Sequence, residues 1–474
     1  MKYKTTKQFL FGTASAAYQC EGAIDQDGRG PCIWDEVLLK TNRALNKYDP
    51  SYASNHYYQY KEDIDLAAKF NVKSMRMSIS WSRLFPKDNK KINLKAVQHY
   101  HDVFSYMLSK DIIPNVTLHH FDSPMWLVKK GDFIKRDNVK YFKAYAEYCF
   151  KEFKEVYLWS TINEIHAYSN DKYIKSSIIP FGKNDFLNYF IHVYHMLLAH
   201  AEAVLSFKRL KCKGKIGIAN ANAFYYPINK NERIIKATSL ANTVQNAFIF
   251  EAEFLGKFSS IILNDLKTIL KDEFKKLIIT ELDLKILKEA AINMDWVGVN
   301  YYMSWWIDLP DDKTVTSYNT TGDKGKTAIN FGNMYKIMVK PNVSTTLWDW
   351  PIYPKGLEDL IKSIYHKYHF KKDLYITENG IGNKEILSKT KTIDDDYRID
   401  YVKKHLLILK KLIKQNYPIA GYYLWSHTDC LSWTNGYDKR YGMFYVDWKT
   451  QKRYLKKFAY WWKIFVDKNI NKWF

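Results

Sequence analysis

Apolar residues along this chain recur in two rhythms. Short runs rich in β-branched and aromatic residues occupy positions 9–14, 72–80 (VKSMRMSIS), 112–119 (IIPNVTLH), 156–163, 215–222 (KIGIANAN), 296–302 (WVGVNYY), 374–377 and 419–425. Their length and bounding turn residues predict buried strands. Between them lie longer stretches, such as 138–153 and 400–414, in which apolar residues return every three or four positions, as on one face of a helix. Strands that alternate with helices, joined by crossovers long enough for parallel pairing, predict an α/β fold. The expected architecture is a single (β/α)8 TIM barrel over residues 1–474, with long loops over the C-terminal mouth. No internal repeat, low-complexity segment or linker interrupts it. The segment 303–346 is polar and broken, and reads as an irregular excursion over the mouth after the sixth strand.

A barrel of this kind keeps its chemistry at the C-terminal ends of its strands. Strand three ends in His119-His120-Phe121-Asp122, strand four in Asn163-Glu164 and strand six in Asn300-Tyr301-Tyr302. Strand seven ends in Glu378-Asn379-Gly380 and strand eight in Trp425; Gln19 follows strand one and Arg76 lies in strand two. Either glutamate alone reads as an ordinary salt-bridged carboxylate. At two strand ends facing one pocket, Glu164 and Glu378 form the pair that glycosidic-bond cleavage uses, one protonated and one ionised. Tyr302 and Arg76 are placed to hold the ionised one. Consecutive strand residues point to opposite faces, so Asn163 and Glu164 share a site only if the strand bends at its end. Asn163 and His120 then suit sugar hydroxyls. Trp350 and Trp425 suit stacking on a sugar ring, and Trp348 is open between platform and core.

The eighth strand empties into a loop dense in Ser, Asp, Asn and Gly that carries Ser432, Trp433, Lys439, Arg440 and Tyr441. A hydroxyl, an ammonium and a phenol are the donors a phosphate group needs. A solvated basic surface loop has the same composition.

Composition narrows the classes. The net charge of +22 comes mostly from lysine spread along the chain, without a basic block or a nucleic-acid motif. It therefore points to no nucleic-acid partner, and an anionic small-molecule substrate gains from the field. No apolar run approaches a membrane span, and the start, MKYKTTKQFLFGTASAAY, holds too short an apolar patch for a signal peptide. A cytoplasmic protein without a membrane partner is expected. The five cysteines are scattered without a Cys-x-x-Cys pair, which fits a reducing compartment and no zinc site. His192 and His195 share a helical face but have no carboxylate nearby in sequence, so neither a metal nor a cofactor is expected.

With these residues in view, the chain resembles glycoside hydrolase family 1. STINEI (160–165) and ITENG (376–380) resemble its acid/base and nucleophile signatures, and FLFGTASAAYQCEGA resembles its opening motif. MRMSISWSR, LHHFDSP, VGVNYY and WDWPIYPKGL match further blocks, so the likeness covers nearly the whole chain. It implies Glu164 as general acid/base, Glu378 as nucleophile, and retention through a glycosyl-enzyme intermediate. Gln19, His120, Asn163, Asn300, Tyr302 and Trp425 match positions lining the sugar subsite, and Trp350 an aromatic near the leaving group.

One departure is informative. Family members acting on plain glucosides carry a glutamate where this chain has Ser432. A carboxylate repels a phosphate that a serine can donate to. Lys439 and Tyr441 fall where the family's phosphoglycosidase branch places its other phosphate ligands. Trp433, within SW-x-NGY-x-KRYG, resembles the branch acting on galactosides, where an aromatic packs on the sugar face. Lactose 6-phosphate is the substrate this implies, delivered by a sugar phosphotransferase system. 6-Phospho-β-glucosides, or both classes, are the alternative. His427, in a Ser-His-Thr run after Trp425, departs from the family and bears on local shape.

Overall fold

The computed structural model describes residues 9–41, 49–311 and 316–469. The first eight residues, which belong to the signal-peptide reading, lie outside the described residues. Eight parallel strands close into a barrel: β1 (Leu10–Ala14), β2 (Ser74–Ser78), β3 (Ile113–His119), β4 (Leu158–Asn163), β5 (Lys215–Ala221), β6 (Trp296–Asn300), β7 (Asp373–Asn379) and β8 (Ile419–Trp425). Each neighbours the next in chain order, and β1 pairs with both β2 and β8 to close the ring. All eight predicted strands are present. The seventh runs two residues further than its apolar pattern, so Glu378 and Asn379 belong to the strand itself.

The strands are buried on both faces, one against the interior and one against helices, which is why they read as continuous apolar runs. Every residue of β2 and β4 is buried. Trp296, Tyr375 and Tyr423 fill the interior, with the Trp296 and Tyr375 rings 5.3 Å apart and edge-on. Gly217 makes room for this plug: a Cβ there would sit 2.4 Å from the Trp296 indole. The interior is thus a packed core that forms the floor of a site at the mouth.

The helices form the outer layer. The predicted 138–153 and 400–414 are Val139–Glu152 and Asp396–Lys414. One helix corrects the expectation about apolar runs. Phe186–Arg209 is long and apolar enough to cross a membrane by length and composition, with a mean hydropathy of 1.2 in its most apolar window. It is 78% buried there, packed against Val139–Glu152 and Glu281–Asn293. A helix apolar nearly all round is what a fully covered layer requires.

The excursion after β6 is also more ordered than its sequence suggests. Trp305–Asp308, Ile329–Phe331 and Tyr335–Met338 join Tyr225–Pro227 in a small four-stranded sheet. Strands of three or four residues are too short to establish an alternation. Residues 312–315 of this segment lie outside the described residues.

Candidate active site

Irregular strand ends aim the site. The β4–β5 register slips between Ser160 and Asn163, and the β6–β7 register slips between Ile376 and Glu378. Glu164 follows β4 in the left-handed region, at φ 50° and ψ 59°, and begins the helix Ile165–Tyr173. That conformation is costly for a residue with a side chain and persists where the surroundings enforce it. It is the bend by which Asn163 and Glu164 both reach one cavity. The cavity, about 530 Å³, is lined by every residue singled out above for the sugar or the phosphate, together with Trp348.

The two carboxyls are held differently. Glu378 accepts from Arg76 Nη1 at 2.5 Å and from the Tyr302 hydroxyl at 2.8 Å. Glu164 accepts from Asn300 Nδ2 at 2.8 Å. The Asn300 amide lowers both carboxyls, so one side chain favours charge on each of them. Thr377 Oγ1 donates to Asn300 Oδ1 at 2.6 Å and fixes which end of that amide faces them. Burial first, then the Glu378 charge, pushes Glu164 up to about 8. Burial also raises Glu378, but Arg76, Tyr302 and Asn300 pull it back. The pair titrates together, and its shared proton belongs on Glu164, the member without a cation.

This asymmetry has a pH consequence. A general acid at Glu164 works only while protonated, so kcat/KM for a β-glycoside falls as pH rises through about 8. In Glu164→Gln, a pH–rate profile on a nitrophenyl glycoside should lose that alkaline limb. Persistence of the limb would remove the assignment.

The wall around Asn163 is similarly determined. Asn163 Oδ1 accepts from Arg76 Nη2 at 2.6 Å and Asn300 Nδ2 at 3.0 Å, so its nitrogen donates to His120 Nε2 at 3.1 Å. Burial holds His120 neutral, which leaves its proton on Nδ1, an atom without a protein partner. Gln19 donates to the Leu431 carbonyl at 2.6 Å, and its Oε1 is unpartnered. The Trp425 ring stacks on His120 with centroids 5.9 Å apart, and Trp350 meets Tyr302 edge-on at 5.6 Å.

In the loop after β8, Lys439 is 1% exposed, and its ammonium has no hydrogen-bond partner. It lies 3.5 Å from the Trp350 ring centroid and 4.6 Å from that of Trp348. Burial without a carboxylate pushes its pKa well below the usual lysine range. Gly382 permits this packing, since a Cβ there would approach Lys439 Cγ to 2.6 Å and the Tyr441 ring to 2.9 Å. Ser432 touches Asn435 Oδ1 at 3.3 Å, and Asn435 is tied to the Thr320 carbonyl of the excursion at 3.1 Å.

Several expectations change. Arg440, which carries no expected role in the site, turns away from the cavity and pairs with buried Asp429 at 2.7 Å. Trp433 stacks on Trp34, with centroids 4.5 Å apart and planes at 16°, which covers one of its faces. The Phe121 and Tyr18 rings also lie near-parallel to it, at 5.7 and 5.9 Å, which limits the part of the ring that lines the cavity. His427 is buried behind β1, bonded to Thr13 Oγ1 and the Asp63 carbonyl, and does not line this cavity. His192 does have a carboxylate, Asp132, at 3.7 Å. Lys172 and Tyr168 also bond that carboxylate, and no metal-holding group of His, Cys, Asp or Glu occurs among the described residues. Sequence reasoning missed Thr377, Gly382 and Asn435, whose roles depend on contacts distant in the chain.

The family profile described as glycosyl hydrolase family 1 fits residues 1–471, and the chain belongs to that family. Among curated relatives, a 6-phospho-β-galactosidase of Staphylococcus haemolyticus is 42% identical over 97% of this chain and 98% of its own. One from Leptotrichia buccalis is 41% identical over 98% of both chains. Among solved structures, the family 1 β-glucosidase of Thermotoga maritima superposes with a TM-score of 0.86 at 30% identity, covering 98% of this chain and 99% of its own.

Proposed function

We propose that this chain is a retaining β-glycosidase whose substrate is a 6-phospho-β-galactoside, with lactose 6-phosphate cleaved to galactose 6-phosphate and glucose. Glu164 protonates the departing oxygen while ionised Glu378 attacks the anomeric carbon. Glu164 then takes a proton from the water that releases the sugar. Arg76 and Tyr302 keep the nucleophile ionised in a buried site. Gln19, His120, Asn163 and Trp425 hold the sugar, and Trp350 closes the leaving-group side.

The observation that carries the phosphate is Lys439, a buried cation facing the cavity with no carboxylate against it. An unpaired buried ammonium is expensive, and an anionic ligand is what offsets it. Ser432 and Tyr441 supply neutral donors beside it. The names of the curated relatives support the same substrate. A substrate phosphorylated during uptake places the enzyme in the cytoplasm, with no role for nucleic acid or membrane.

Preference for galactose rests on Trp433. The residue lines the cavity beside Ser432, where its ring and indole N–H can meet the sugar. In Trp433→Ala, the ratio of kcat/KM for galactoside over glucoside 6-phosphates should fall about tenfold, a hydrogen bond and ring contact together. An unchanged ratio would remove Trp433 from specificity.

A further inference from the structure

The two residues after Lys439 are pinned to the segment that follows β7. Arg440 and Asn383 exchange backbone hydrogen bonds, each N–H to the other's carbonyl, at 2.9 and 3.0 Å. The Tyr441 carbonyl accepts from Arg398 Nη1 at 2.7 Å, and the same nitrogen donates to the Ile381 carbonyl at 2.8 Å. One guanidinium, fully buried on the helix Asp396–Lys414, thus spans the phosphate loop and the segment leaving the nucleophile strand.

All five N–H groups of Arg398 are engaged. Beyond the two carbonyls, Nε donates to Asp395 at 2.8 Å, and Nη2 donates to the Tyr397 hydroxyl at 2.8 Å and to Glu385 Oε1. A planar fork with every donor met is held in one orientation. Glu385 Oε2 accepts in turn from Lys456, which donates on to Asp429 at 2.8 Å, the carboxylate that holds Arg440. Arg398, Lys456 and Arg440 face Asp395, Glu385 and Asp429, so the charges of this buried network balance. No carboxylate is left over for Lys439, whose ammonium has no hydrogen-bond partner. A buried cation without a partner gains hydration by leaving the cavity, and the backbone next to it has to resist that movement.

We infer that Arg398 is a positioning residue for the 6-phosphate: by gripping the Ile381 and Tyr441 carbonyls it keeps Lys439 and Tyr441 in the cavity before a phosphate arrives. This rests on the phosphate reading of the loop and names what holds the empty site ready. Donors fixed in place need no reorganisation when the ligand binds, which raises affinity for the phosphorylated sugar and leaves the plain sugar unaffected. Lys at position 398 keeps the charge balance but cannot supply five donors in a fork.

The test compares kcat/KM for nitrophenyl β-galactoside 6-phosphate and for plain nitrophenyl β-galactoside in the full-length protein. In Arg398→Lys the phosphorylated-to-plain ratio should fall about tenfold. The plain-sugar rate reports folding in the same samples. Tyr397→Phe removes one acceptor from the guanidinium and keeps every charge of the network, so it serves if Arg398→Lys does not fold. There the ratio should fall about threefold. With a wild type that prefers the phosphorylated substrate, an unchanged ratio in the folded variant, including parallel losses on both substrates, would overturn the role of Arg398 and leave the phosphate reading standing. A wild type without that preference would remove the phosphate reading and this inference with it.

Discussion

Replacing Glu378 by Ala should lower kcat/KM on any glycoside the enzyme cleaves by about four to six orders of magnitude. In the proposed mechanism this carboxylate forms the bond to the anomeric carbon, and its removal leaves the attacking side of the cavity empty. Arg76, left without its 2.5 Å partner, makes the emptied space cationic. A small anion such as azide should therefore enter and attack from the vacated face, restoring turnover on a nitrophenyl glycoside with an α-glycosyl azide as product. Its opposite configuration distinguishes a lost nucleophile from a damaged fold. Substantial residual hydrolysis without added anion, giving the β-sugar, would remove Glu378 from the bond-forming role.

The second large effect is at Lys439. In Lys439→Ala, the kcat/KM ratio for galactoside 6-phosphate over plain galactoside should fall by about two to three orders of magnitude, the loss expected when a desolvated ionic contact is cut on one side. The wild type should also show a linked proton. In the empty site burial depresses Lys439, and an approaching phosphate raises it again, so binding draws a proton onto the amine. Below the empty-site value the lysine is already charged and affinity is flat. As pH rises through that value, KM for the phosphorylated substrate increases. The increase should be absent for the plain galactoside and in Lys439→Ala. Parallel losses on both substrates would assign Lys439 to packing against Trp348 and Trp350 instead.

Much of this was legible in the chain, for identifiable reasons. Strands buried on both faces write continuous apolar runs, so the eight-strand ring could be read directly. Polar residues at the ends of such runs have no packing reason to be there, which singled out Glu164, Asn300 and Glu378. Register was not legible: the slips that turn Asn163 and Glu378 into the cavity depend on neighbouring strands.

Side-chain direction inside the loop was not legible either. Lys439 and Arg440 are adjacent cations, yet Asp429 draws Arg440 out of the site and leaves Lys439 in it. Trp433 could be assigned to the sugar, but not the Trp34 ring that covers one of its faces. The tie beneath the loop left no pattern, because Arg398 reads as a polar helix position until Ile381 and Tyr441 are folded against it. Helix Phe186–Arg209 shows the converse, since composition alone would pass it as a membrane span and its neighbours make it core.

The central claim is that a buried, unpaired lysine makes this barrel a phosphoglycosidase. Hydrolysis of four nitrophenyl β-glycosides, galactoside and glucoside each with and without a 6-phosphate, tests it most directly. Cleavage of the galactoside 6-phosphate, with the plain sugars slower by at least about a hundredfold, is the predicted result. Equal or faster cleavage of the plain sugars would contradict it.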